Sequence, residues 1–179
     1  DFEAAHHQYL LNLRGATGAL MDDTDYAAAK ANAATLDATD RSYWAYINRA
    51  AIQTHREYFA VEQARQALRN AWSAFFKDWD IVLCPIAAST AFLHDQNLPR
   101  HERTIPVDGT QESYNDQLFW AGLATYPYLP STVFPAGPAE NGLPVGLQAI
   151  GPYLHDLETI HFAELLEVEW CGFTPPSGY

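Results

Sequence analysis

The side chains that could do chemistry in this chain are seven histidines, two cysteines, two lysines and six serines, and their spacing matters more than their number. His94, Asp95 and His101 share one polar stretch, while His6-His7 and His155-Asp156…His161 lie elsewhere. Adjacent histidines on a helix point apart, and six residues is not a same-face spacing. Zinc sites favour i, i+4 or short hairpin intervals, so solvated or hydrogen-bonded roles are expected and no metal is assigned. Asp22-Asp23-Thr24-Asp25 lacks the glycine and terminal glutamate of a calcium loop and reads as a helix cap. There is no GxSxG elbow, phosphate-cradling glycine loop or CxxC pair. Cys84 sits in the apolar run Ile81–Cys84 and Cys171 follows Trp170, positions that suit free thiols in a reducing compartment. The segment Pro85-Ile86-Ala87-Ala88-Ser89-Thr90 follows an apolar run, and ligands in open α/β sheets collect outside the carboxyl ends of strands. Two readings stand for it: a pocket-lining loop or an ordinary connection.

These residues must be positioned by elements that the hydrophobic pattern outlines. Phe2–Met21 carries Phe2, Tyr9, Leu10, Leu13 and Leu20 at helical spacing. Asp22–Asp25 then introduces an alanine-rich helix over Tyr26–Leu36. From Arg41 to Trp79 there is neither Gly nor Pro. Trp44, Ile47, Ala51, Tyr58, Val61, Leu68, Trp72, Phe75 and Trp79 form one stripe, with Thr39 or Asp40 as its cap. A single helix of that length would span nearly 60 Å, so a break near Thr54 is expected. Ile81–Cys84 is a short buried strand closed by Pro85. Ala87–Gly109 is irregular, with a strand edge at Arg103–Gly109, and Tyr114–Thr125 is helical. Ser131–Pro135 and Leu143–Ile150 pair across a Gly/Pro/Asn turn in which Gly137, Gly142 and Gly146 supply positive φ. Asp156–Trp170 is a last helix with Leu157, Ile160, Ala163 and Leu166 on its apolar face, and Phe173–Tyr179 is a Pro/Gly tail. Helices alternating with short strands define an α/β layered class in one domain of 179 residues.

Charge narrows the function. The net charge is −12 and the ten basic residues form no run, a surface that repels phosphate backbones and anionic lipid. Nucleic-acid and membrane roles are therefore not expected, and no apolar stretch approaches the roughly 20 residues a membrane helix needs. The N-terminus DFEAAHHQYLL does not have a signal-peptide pattern. A cytoplasmic location is the expectation. The chain opens on Asp1 rather than Met, which leads us to expect a piece cut from, or built within, something longer.

The segment Leu129–Pro152, LPSTVFPAGPAENGLPVGLQAIGP, resembles the C-terminal part of the amidase-signature hydrolases. Asn70–Pro85, with its W–x–x–FF–x–x–WD helix end and CP-terminated strand, is similar to the same family. His94-Asp95, Arg103–Gly109, Phe119-Trp120-Ala121-Gly122-Leu123-Ala124 and Phe173–Tyr179 follow in the family's order. Residues 1–40 match least. The resemblance implies an α/β fold, a three-layer mixed β-sheet covered by helices, of which this chain supplies an incomplete, C-terminal portion. It implies amide hydrolysis by a Ser–Ser–Lys triad without a cofactor. A serine attacks the carbonyl, a second serine shuttles the proton and a neutral lysine is the ultimate base.

That triad has no match here. Lys30 lies in an alanine-rich helix and Lys77 near a helix end. Ser42, Ser73, Ser89, Ser113, Ser131 and Ser177 never form a glycine-flanked cluster. No catalytic residue is assigned. The resemblance places Pro85, Ile86, Ala87 and Ala88 along a substrate cleft. Phe119 and Trp120, with Tyr126-Pro127-Tyr128, are either an aromatic wall around a small-molecule amide or ordinary core. Two functions follow: the C-terminal part of an amidase, inactive alone and contributing scaffold and pocket wall, or a stand-alone non-catalytic binding or assembly domain. Strands built for a larger sheet would leave open edges, so a homo-oligomer is expected.

Overall fold

The computed structural model describes residues 1–175; the last four residues of the expected Phe173–Tyr179 tail lie outside the described residues. The chain divides into two compact units, residues 1–69 and residues 70 onward.

The first unit is helical. α1 (Phe2–Gly18) is capped by the Asp1 carboxylate, which accepts from Ala4 N–H at 3.1 Å. α2 (Asp23–Thr35) is capped by Asp22, which accepts from Asp25 N–H at 2.8 Å. The expected cap of the third helix is corrected. α3 (Tyr43–Ala51) begins at Ser42, whose hydroxyl accepts from Ala45 N–H at 3.2 Å, while Asp40 holds Ser42 N–H. The long apolar stripe is interrupted at Ile52–Thr54, and α4 (His55–Phe75) restarts through a reciprocal capping box. Glu57 accepts from Thr54 N–H at 2.7 Å, and the Thr54 hydroxyl accepts from Glu57 N–H at 3.2 Å. The Thr54 N–H and the Thr54 hydroxyl, both donating to the Glu57 carboxylate, hold it below its usual range. Tyr9, Leu10, Ala45, Tyr46, Ala50 and Val61 are buried, whereas Phe2 and Leu20, expected on the apolar face, are exposed. Leu20 falls beyond the end of α1.

The second unit is built on strands β1 (Val82–Pro85), β4 (Ser131–Pro138) and β5 (Pro144–Ile150), in the order β1-β5-β4 with antiparallel neighbours. A hairpin of β2 (Thr104–Val107) and β3 (Thr110–Ser113) forms its own small sheet. Its turn is Asp108-Gly109, both at positive φ, the combination a two-residue type I′ turn requires. Register places Cys84, Gln148 and Val133 side by side on one face of the larger sheet, and Pro85, Leu147 and Phe134 on the other. α5 (Leu118–Thr125) lies over the first face, where the Trp120 carbonyl accepts from Gln148. α6 (Asp156–Glu169) lies over the second, through a Thr132–Thr159 hydroxyl contact of 2.8 Å and Phe134 edge-on to Phe162. Helix, sheet and helix make three layers, and the fold is α/β. Coverage is incomplete, because Leu83 and Val133 remain exposed.

Two expectations are revised by packing. On α6 the half-buried and buried side is Thr159, Phe162, Ala163 and Leu166, while Leu157 and Ile160 face outward. In the hairpin, Gly137 and Gly142 take φ of 94° and 79°, but Gly146 does not have positive φ. A side chain at Gly146 would place its Cβ 3.0 Å from Ile86 Cδ1 and 3.4 Å from Val133 Cγ1, so close packing is what selects glycine there. Nothing lies within 4 Å of a Cβ added at Gly142, so its requirement is purely backbone. Gly142→Val should therefore destabilise the second unit by roughly 1–3 kcal/mol through backbone strain. Thermal unfolding of Gly142→Val matching the parent would refute that turn geometry.

Candidate functional site

β1 carries an apolar run into Pro85, and its carboxyl end shares one end of the sheet with the later part of β4, since both pair with Leu147 there. The connection that follows is tied down rather than free. Ala88 N–H donates to the Gln117 side-chain carbonyl at 2.8 Å, just before α5. Asn141 Nδ2, in the β4–β5 turn, reaches Thr90 Oγ1 at 3.5 Å. Ile86 leans over Gly146 towards β4.

At the middle of this end of the sheet stands Gln148, 5% exposed on β5. Its Nε2 donates to the Pro85 carbonyl at 2.9 Å and to the Trp120 carbonyl at 3.1 Å, while its Oε1 accepts from Ser131 Oγ at 2.8 Å. A primary amide has two donors and a carbonyl acceptor, and all three roles are filled. One side chain thus joins β1, β4, β5 and α5. Beside it, burial pushes the Cys84 thiol up, partly opposed by a hydrogen bond with Gln148. Cys84 and Cys171 are both free thiols.

The six residues expected along a substrate cleft are distributed around this node. Pro85 and Trp120 are joined by Gln148, and Ala88 is joined to the start of α5 by Gln117. Phe119 packs edge-on to Trp120 with ring centroids 5.1 Å apart. Ala87 is half-buried and Ile86 is exposed at the rim. Tyr126 and Pro127 are buried core, while Tyr128 is exposed. Gln148, Gln117 and Ser131 are organising residues that sequence pattern does not single out. The available signal is an amide in the middle of the apolar run Leu147–Ile150, because a buried amide must find partners.

The arrangement is a hydrogen-bonded junction, and four of the serines are engaged in structure. Ser42 and Ser113 cap helices, Ser89 Oγ donates to the Thr90 carbonyl at 3.2 Å, and Ser131 serves Gln148. Ser73 is exposed on α4, and Ser177 lies outside the described residues. Lys30 and Lys77 are exposed, the latter in the turn after α4. Among the described residues no group of three or more His, Cys, Asp or Glu could hold a metal. None of the described helices is long and apolar enough to cross a membrane.

An Amidase family model matches residues 3–160, and the chain belongs to the amidase family. Among curated relatives, the glutamyl-tRNA(Gln) amidotransferase A-subunit of Brevibacillus brevis is 28% identical over 120 residues, covering 65% of this chain and 21% of that protein. The chain therefore spans about a fifth of the length of the curated relatives it matches. Among solved structures, one from a vestigial protein complex that reveals the evolutionary origins of an s-triazine catabolic enzyme superposes with a TM-score of 0.72. It has 17% identity, over 98% of this chain and 36% of its own. A bacterial aryl acylamidase of the amidase signature family gives a TM-score of 0.64 at 18% identity, over 96% of this chain and 34% of its own. The fold is that of amidase-signature enzymes.

Replacing Gln148 tests whether the node is structural. Gln148→Leu strands the Pro85 and Trp120 carbonyls, and a loss of about 2–3 kcal/mol of unfolding free energy is expected. Gln148→Glu should also destabilise at neutral pH, because a carboxylate cannot donate to either carbonyl. Denaturant unfolding with either variant indistinguishable from the parent would show that the node carries no stability.

Proposed function

We propose that this chain is the C-terminal portion of an amidase that hydrolyses a carboxamide C–N bond, located in the cytoplasm. In that reading it supplies scaffold and part of the substrate wall through Pro85, Ile86, Ala87, Ala88, Phe119 and Trp120. The nucleophile comes from a portion not included in these 179 residues. One observation carries the reading. The family match extends over residues 3–160, yet spans about a fifth of the relatives, and the described serines and lysines are exposed or engaged in caps and structural bonds. A serine is a weak nucleophile until an adjacent base removes its proton, and no lysine stands beside a serine cluster in the sequence.

The isolated chain should release no ammonia from aliphatic or aromatic amides above background. Activity abolished by Ser89→Ala or Lys77→Ala would overturn the assignment. The coding sequence upstream of Asp1 supplies the complementary test. A Gly/Ser-rich segment preceded by a lysine, and amide hydrolysis by the joined protein, are the expected results. A start codon at or near Asp1 would instead favour a stand-alone non-catalytic domain.

The same reading bears on association. Among the described residues β4 pairs only with β5, and Leu83 and Val133 are exposed on the sheet. Open strand edges recruit other strands, so the isolated chain is proposed to self-associate into a defined homo-oligomer, its charge of −12 opposing random clumping. Sedimentation over a wide concentration range should show dimers or larger species. A monomer of 20.0 kDa that binds no hydrophobic dye would contradict this.

A further inference from the structure

α6 carries apolar residues on both sides, and among the described residues only one side is packed. Leu157 and Val168 are each 80% exposed, Leu165 is 50% exposed and Ile160 45%. At about 100° of rotation per residue these four fall on one stripe, opposite Thr159, Phe162, Ala163 and Leu166. The borders of that stripe share one sign of charge. Glu158 and Glu169 line one border and Asp156 and Glu167 the other. Glu164 lies within the stripe, 3.4 Å from the His161 ring. The helix DLETIHFAELLEVE contains no Lys or Arg.

We propose that this outward face of α6 docks a cationic amphipathic helix of a partner protein. Such a helix would set aliphatic side chains on Leu157, Ile160, Leu165 and Val168 and lysines or arginines on both acidic borders. α6 has 14 residues, so the matching segment is three to four turns, about 21 Å. This is the helix-in-groove mode of recognition with flanking charges setting the choice of partner. The charge pattern argues against two alternatives, a second copy of this chain and a membrane surface. Two copies of α6 facing one another would bring five carboxylates against five, with no Lys or Arg on either helix. α4, the helix richest in arginine, carries Arg56, Arg65 and Arg69 but also Glu57 and Glu62, so a second copy presents no wholly basic helix. Helices that lie on membranes carry Lys and Arg beside their apolar stripe, the opposite of this surface.

The test uses the full 179-residue chain and a labelled peptide of about five turns with leucines at i, i+3, i+4 and i+7 spacing and lysines flanking them. Fluorescence anisotropy should show saturable binding that weakens with salt. Binding should fall at least tenfold for a scrambled peptide of the same composition. It should fall at least tenfold for Leu157→Ser/Val168→Ser, which changes two exposed positions and leaves net charge unaltered; circular dichroism confirms that the variant is folded. Glu158→Gln/Glu167→Gln should weaken binding at low salt. Equal binding by the scrambled peptide, or by either double variant, would overturn the proposal. Self-association that disappears in Leu157→Ser/Val168→Ser would assign the face to a second copy instead. Sedimentation with phosphatidylserine vesicles that disappears in the same variant would assign it to a membrane. Peptide binding by the 179-residue chain that is lost in the joined protein would assign the face to the rest of its own fold and overturn the proposal.

Discussion

A primary amide buried in an apolar sheet is a demanding group, because each of its polar atoms costs free energy unless it is paired. Gln148 meets that demand with backbone carbonyls at the end of β1 and within α5 and with a hydroxyl on β4. The consequence is geometric. Three segments that lie 63, 28 and 17 residues before Gln148 are held at fixed distances from one another while all three bonds are kept. The loop after β1 leaves the sheet from Pro85, one of these fixed points, and is held again at Ala88 by Gln117. Trp120 and its edge-on neighbour Phe119 start from another. The substrate wall proposed for these residues would draw its rigid support from those points, since positions off by about an ångström weaken recognition sharply.

How much of this is legible in the sequence depends on whether local chemistry or long-range packing decides the outcome. The β4–β5 hairpin is written in Pro, Gly and Asn, but its turn is shorter than those residues suggest, because Gly137 and Pro138 still pair within β4 across a bulge. The interruption near Thr54 follows from helix length, and the T-x-x-E pattern of Thr54 and Glu57 marks its position. Asp108-Gly109 is an equally local hairpin signal, flanked by Thr104–Val107 and Thr110–Ser113, where the expectation stops at a single strand edge. Gly146 resembles a turn glycine because it lies near Gly142, whereas only the approach of Ile86 and Val133 explains it. The role of Gln148 depends on partners 63, 28 and 17 residues away. No window of sequence holds that information.

The face of α6 shows a different limit. Leu157, Ile160, Ala163 and Leu166 form a helical apolar pattern, yet Phe162, Leu165 and Val168 form others around the same axis. Periodicity selects a buried side only when the remaining sides are polar. Here the selection is made by Thr132 and Phe134 on β4, which receive Thr159 and Phe162. The surplus apolar residues are left outside, bordered by carboxylates. The sequence of α6 supports two apolar faces, and the sheet covers one of them.

Open edges and a surplus helix face are different kinds of incompleteness. An unpaired strand edge presents N–H and C=O groups that any extended segment can satisfy, so it discriminates weakly among partners. The α6 stripe presents side chains of fixed spacing between borders of one sign, so a wrong partner meets like charge or leaves carboxylates against apolar surface. The edge of β4 is therefore suited to continuing a sheet. The outward face of α6 is suited to choosing among helices. A single chain can carry both because they lie on different elements, and because the node at Gln148 fixes the sheet end without using any residue of α6.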